Sequence, residues 1–226
     1  LYDTDLTGAN LEGANLDGAR LSGVNLTSAN LYGATINLEN VRNYNSKSTR
    51  HVIKISKLMD IYQPTSMDIQ AGRSYLTTKS GQLYEISDGQ RDLIWDFNDE
   101  EGFTTLDESG LLSVVYREGK LYVSYNIINN KNLFTVIDEI SRPKKQINSR
   151  RRIAEINLGN YGLKINRVWH IGGTLAFDST GRLYISVGDG IQSAVTQDLD
   201  SPLGKILRIS LSSLRSSPEV VAYGLR

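Results

Sequence analysis

The sequence predicts an all-β chain in two parts: a short β-solenoid over residues 1–41 and propeller-type blades over residues 52–226, joined by a linker at 42–51. Two observations carry this. Aliphatic residues recur at every fifth position near the start, and strand–turn–strand segments with alternating polarity recur after residue 52. A third sets the boundary: the five-residue period breaks near Asn40.

In the first part Leu6, Leu11, Leu16, Leu21, Leu26, Leu31 and Ile36 mark the period, and Ala9, Ala14, Ala19, Val24, Ala29 and Ala34 stand two places before the next aliphatic. Residues two apart in an extended chain share a face, so the large aliphatic and its small partner point inward together. Asn10, Asn15, Asn25 and Asn30, with Glu12 and Asp17, then point out. A flexible Gly/Asn-rich linker has no reason to keep an aliphatic at every fifth place. The pattern resembles the pentapeptide-repeat family, which implies a four-sided right-handed β-helix with one repeat per side. About seven repeats give somewhat under two coils, so a piece this short is expected to need support from its surroundings. It reads as an interaction or capping module that could take a protein partner.

NVRNYNSKSTRH is polar and poor in aliphatics, as a linker should be. After it come RSYLTTKSGQLYEIS, GLLSVVYREGKLYVSYNI and GTLAFDSTGRLYISVG, each a strand, a turn built on KSG, REG or STG, and a second strand. Their spacing of about 40 to 60 residues is near that of propeller blades, and residues 52–226 would hold roughly three to four of them. Tyr116, Tyr122, Tyr125 and Tyr184 fall in strand pattern and are expected to pack between blades.

Composition removes several classes of function. Lys+Arg and Asp+Glu both number 25, so the formal net charge is zero and nothing marks a nucleic-acid or anionic-membrane surface. No apolar run approaches the length of a membrane span. There is no cysteine, which excludes disulfides, thiolate catalysis and cysteine-ligated metals without assigning a compartment.

Few residues are candidates for chemistry. His170 is one of two histidines and precedes Gly172 and Gly173, which are expected to leave the imidazole open to a ligand. Packing beside Trp169 is the structural alternative. Asp189, Asp198 and Asp200 could offer oxygen to a cation, but their spacing is that of turn-capping residues. Arg142, Lys144, Lys145, Arg150, Arg151 and Arg152 make a basic run that reads as a solvated insertion between strands. His51, beside Arg50, reads as a surface residue at the linker boundary.

The order VWHIGGTLAFDSTGRLYISVGDG, QDLDSPLGKILRI, AYGLR resembles the glucose/sorbosone dehydrogenase family, most specifically over residues 168–226 and more loosely over the hairpins between 70 and 126. The resemblance implies part of a six-bladed β-propeller and oxidation of a sugar or aldose hydroxyl with pyrroloquinoline quinone (PQQ) as cofactor. Calcium would accompany it, with metal ligands that the sequence does not identify. It implies that His170 is the general base, that Arg226 in AYGLR contacts the cofactor, and that Glu108 in DESGLLSVVY stands near the substrate. Trp169 departs from the pattern, since some members carry Asp directly before the histidine. By the same resemblance a periplasmic or extracellular location is favoured. AYGLR stops inside a motif that in the family continues with Asn and Pro, so the chain is expected to be part of a longer protein and to have little or no activity alone. The opposing expectation is a non-enzymatic propeller that binds a protein or glycan, because a fold does not fix a function.

Overall fold

The computed structural model describes residues 4–19, 21, 23–27, 29–31, 34–36, 59–70, 72–141, 149–159, 167–211 and 218–224. The chain divides into two compact units, Leu1–Ser56 and Lys57–Arg226.

In the first unit β1 (Asn15–Leu16) pairs in parallel with β2 (Thr35–Ile36), and parallel bridges join Asp5 to Asn25 and Asn10 to Asn30. Partners lie 20 residues apart, so one coil takes four five-residue sides. Leu21, Val24 and Leu26 are buried, with Leu6, Leu11, Ala19, Ala29 and Leu31 packed on them. The inward and outward positions are those the period predicts. Each corner is a turn in which the fourth residue donates its N–H to the leucine carbonyl, as Ala9 does to Leu6 and Ala14 to Leu11. The third residue there, Gly8 or Gly13, has positive φ, which glycine adopts without strain. The exposed Asn10, Asn15 and Asn25 side chains accept the N–H two residues on, satisfying corner groups that no ladder reaches.

Among its described residues the second unit holds three four-stranded antiparallel sheets, each a simple meander. The first is β3 (Pro64–Gln70), β4 (Arg73–Thr78), β5 (Gln82–Ser87) and β6 (Gln90–Asp96). The second is β7 (Leu111–Arg117), β8 (Lys120–Asn129), β9 (Asn132–Ser141) and β10 (Ser149–Asn157). The third is β11 (Gly172–Phe177), β12 (Leu183–Val187), β13 (Lys205–Ile209) and β14 (Glu219–Tyr223). KSG joins β4 to β5, whereas REG and STG join the first two strands of their sheets. The first of these hairpins is therefore out of phase with the others.

The middle sheet is buried on both faces, and β8 shows how one strand serves two cores. Leu121, Val123, Tyr125 and Ile127 pack with Tyr75, Leu83, Phe97 and Leu111 toward the first sheet. Tyr122, one register out, joins Leu175, Leu183, Ile185 and Leu207 of the third. Tyr75 stacks on Tyr116 at 5.3 Å, and Tyr122 meets Phe177 edge-on at 5.1 Å. Tyr184 instead donates to Asp178 within its own hairpin.

The first strands of the sheets lie beside one another, and side chains link their backbones. Ser66 Oγ accepts the N–H of Val114 at 3.3 Å, and Ser113 Oγ accepts that of Leu175 at 3.0 Å. Each of β3, β7 and β11 has a register shift near its start, at Pro64/Ser66, Leu111/Ser113 and Gly172/Leu175. The shift frees a backbone group that a neighbouring hydroxyl can then satisfy.

The basic run differs from its reading as a solvated insertion. Arg150, Arg151 and Arg152 lie on β10 in ion pairs with Glu100, Asp138, Glu139 and Glu155. The Arg150 guanidinium also lies within 5.7 Å of the Trp95, Phe97 and Tyr125 ring centres. A guanidinium can stack on aromatic rings while its N–H groups stay paired in their plane, which lets a cation lie in a seam. Arg142, Lys144 and Lys145 are outside the described residues. Among the described residues no helix is long and apolar enough to cross a membrane.

Candidate functional site

Two connections and one turn meet around His170. The 106–110 turn, ahead of β7, is closed by the Ser109 N–H and hydroxyl, both donating to the Leu106 carbonyl. Asp107 has a φ of 48° there, and Lys79 Nζ holds its carbonyl. This turn grips the 167–171 segment, which leads into β11. The Glu108 N–H donates to the Val168 carbonyl at 3.0 Å. The Asp107 carboxylate accepts the Val168 N–H at 2.9 Å, and Glu108 Oε2 accepts the His170 N–H at 2.6 Å.

The loop after β12 completes the grip. The His170 carbonyl accepts from the Gly190 N–H at 3.0 Å, and that of Ile171 from the Gly188 N–H at 3.1 Å. The contact is so close that a Cβ at residue 188 would fall 1.9 Å from the His170 oxygen. His170 has a φ of 53° and Ile191 one of 60°, and for a β-branched residue this conformation is unusual. Such backbone persists where surrounding contacts fix it, and it gathers at working sites.

Asp189 Oδ1 lies 3.1 Å from His170 Nδ1 and also accepts the Ile191 N–H at 3.0 Å. An ionised carboxylate only accepts, so a neutral imidazole held this way carries its hydrogen on Nδ1 and keeps the Nε2 lone pair. The Asp189 side chain is 10% exposed and the His170 side chain 58%. One partner is thus anchored in protein while the other is open to solvent.

The structure brings Glu108 and His170 together, though the Oε2 of Glu108 is spent on backbone. Gly172 and Gly173 do not clear space for a ligand as expected. A Cβ at residue 172 would meet the Gly188 nitrogen at 2.8 Å, and one at residue 173 would meet Leu112 at 2.4 Å, so these glycines admit the protein's own neighbours. Arg226 and His51 lie outside the described residues. Gly224, two places before Arg226, donates its N–H to the Thr196 carbonyl at 3.0 Å. Asp198 caps its own turn, accepting the Asp200 N–H at 3.0 Å. Among the described residues no three His, Cys, Asp or Glu side chains gather closely enough to hold a metal ion.

Sequence reasoning missed the partnership of Asp189 with His170. Its signal was present, because a carboxylate at the end of the second strand of a hairpin lies opposite the residue that enters the first.

The family description Glucose / Sorbosone dehydrogenase matches residues 61–219, and Pentapeptide repeats match residues 1–38 as eight copies, against about seven counted from the aliphatic period. A solved glucose dehydrogenase is 21% identical, with a TM-score of 0.61 over 76% of this chain and 58% of that one. The soluble aldose sugar dehydrogenase of Escherichia coli, in its apo form, is 22% identical with a TM-score of 0.57, covering 73% and 52%. The PQQ-bound aldose sugar dehydrogenase of Streptomyces coelicolor is 17% identical, also with a TM-score of 0.57, covering 73% and 51%. The human Hedgehog-interacting protein is 28% identical over 56% of this chain and 22% of its own length. The chain therefore spans little more than half of these solved relatives and about a fifth of the curated one. It belongs to the glucose/sorbosone dehydrogenase family and carries pentapeptide repeats ahead of that domain.

Proposed function

We propose that the propeller unit belongs to a PQQ-dependent dehydrogenase that oxidises a sugar or aldose hydroxyl, with His170 as the general base. The observation that carries this is the His170–Asp189 pair: a solvent-open imidazole whose Nδ1 is held by a buried carboxylate. A base must keep a free lone pair in a fixed direction, and the pair does both. An exposed imidazole whose Nδ1 is held by Asp189 fits the proton-accepting half of that reaction. When bound, the quinone supplies a two-electron acceptor for hydride.

The chain's own residues have separate tasks. His170 Nε2 removes the proton from the hydroxyl, and Asp189 stabilises the imidazolium so formed. Glu108 and Asp107 hold the backbone N–H groups on either side of Trp169, so the ring is carried on a segment fixed at both ends. Arg226 would place a permanent cation on the cofactor by motif position. Calcium is part of the resemblance, but the described residues offer it no cluster of side-chain ligands, and no step is assigned to it.

The test is titration of PQQ into the full-length protein and into His170→Ala, with sugar-dependent dye reduction measured on both. Binding by both proteins, with dye reduction lost by a factor of about 10²–10⁴ in the variant, supports the reading. No binding by the folded wild type overturns it. A second reading, a propeller that binds a protein without catalysis, is favoured by the likeness to a protein named for interacting with Hedgehog. It predicts folding and partner capture with no quinone bound.

A further inference from the structure

Lys205 opens β13 and is fully buried, yet it lies in no ion pair with a carboxylate among the described residues. Its Nζ donates to two backbone carbonyls instead, those of Thr196 and Leu203, both at 2.8 Å. Burial pushes its pKa below the ordinary lysine value, with Asp198 acting against that shift. An ammonium buried against carbonyl dipoles is costly, and an apolar side chain of the same length would avoid the cost. The retained charge therefore points to what the two carbonyls hold.

Both carbonyls belong to the connection between β12 and β13, whose only regular piece is the 3₁₀ turn Ser193–Val195. A connection of this kind has no ladder to satisfy its buried carbonyls. The Thr196 oxygen has two lone pairs and two donors: Lys205 Nζ, and the Gly224 N–H at the exit of β14. A Cβ at residue 224 would approach Gln197 Nε2 to 2.6 Å, so the chain leaves β14 pressed against this connection. At its other end the connection is tied to the candidate base. The Gly204 N–H donates to the Gly188 carbonyl at 2.9 Å, and Gly188 and Gly190 donate to Ile171 and His170.

We infer that Lys205 is a positioning residue: by clamping the Thr196 and Leu203 carbonyls, it fixes the exit of β14 at Gly224, two places before Arg226 in the sequence, relative to His170. The functional half of this inference rests on the quinone reading of the site. The clamp itself does not.

The test compares wild type with Lys205→Met, which keeps length and loses the donors, and Lys205→Gln, which keeps a shorter donor. Hydrogen exchange of the 226-residue chain is expected to speed up about tenfold at Gly224 in the Met variant and less in the Gln variant, while Ile185 and Leu207 keep their protection. Unchanged protection at Gly224, or loss spread evenly over β11–β14, overturns the clamp. If the Met variant fails to fold, the Gln variant carries the same comparison. In the full-length protein, the PQQ dissociation constant is expected to rise about tenfold in the Met variant while kcat at saturating quinone and the protection of Ile185 and Leu207 are all kept; loss of folded protein would raise the constant too, but would lower that protection. Equal quinone affinity in both proteins overturns the functional half. No quinone binding by wild type sinks the dehydrogenase reading and leaves exchange at Gly224 to decide the role of Lys205.

Discussion

Asp189 Oδ1 lies 3.1 Å from His170 Nδ1, so a buried carboxylate on one connection fixes the imidazole on another. The two are 19 residues apart, at the two ends of the β11–β12 hairpin. Replacing Asp189 by Ala should release the tautomer. Nitrogen-15 NMR of the histidine ring is expected to show hydrogen on Nδ1 in wild type and a population shifted to Nε2 in the variant. In the full-length protein, sugar oxidation should fall at least about tenfold. An unchanged ring spectrum would show that Asp189 does not set the tautomer.

Gly188 is fixed by space rather than by turn geometry. A Cβ there would fall 1.9 Å from the His170 carbonyl oxygen, against backbone that cannot rotate away. Gly188→Ala is expected to cost about 1–3 kcal/mol in urea unfolding, the range for forcing atoms into packed space. It should also weaken exchange protection at Gly190, whose N–H donates to His170.

Asp138 is the acceptor at the seam between the first and second sheets. It accepts from Tyr125 at 2.8 Å and Arg150 at 2.6 Å, and its side chain is 1% exposed. Asp138→Ala would leave the Arg150 charge partly buried with one fewer partner, at a cost of about 3 kcal/mol. Urea denaturation at neutral pH measures this, and a loss below ~1 kcal/mol would show that Glu100 and the Tyr125 hydroxyl suffice.

Glu139 gives the chain an acid-sensitive contact. Burial pushes its pKa up, but hydrogen bonds from Lys120, Tyr122 and Arg151 outweigh this and hold it below the ordinary glutamate value. A carboxylate with a depressed folded pKa lends stability that is fully present above the unfolded value and lost as pH falls through the folded one. Glu139→Gln should thus cost about 1 kcal/mol at neutral pH. The difference from wild type should shrink steadily below about pH 4.3, where an unfolded glutamate begins to hold its proton. A difference constant down to acid unfolding would contradict the assignment.

The periodic features were legible in the sequence, and features that depend on which strands become neighbours were not. Leu21 and Val24 announce their burial through spacing alone, because a repeat fixes the direction of each side chain. KSG, REG and STG mark hairpins for the same local reason. Arg150 and Arg152 look like surface charge until β10 is placed beside Asp138, 12 residues from Arg150, and Glu100, 52 residues from Arg152. Gly172 and Gly173 suggest room for a ligand when only the linear order is known. The room is taken by Gly188 and Leu112, which the linear order does not bring near. The motif offered His170 as a candidate, whereas the carboxylate that touches it required the hairpin to close.

Whether His170 takes the proton as the substrate hydroxyl is oxidised is tested most directly by single turnover of the full-length protein loaded with PQQ. Sugar-dependent bleaching of the quinone spectrum would be followed in wild type and in His170→Ala. With His170 as the base, quinone loading is equal and the rate is lower by about 10²–10⁴ in the variant. Equal rates at equal loading would contradict that role.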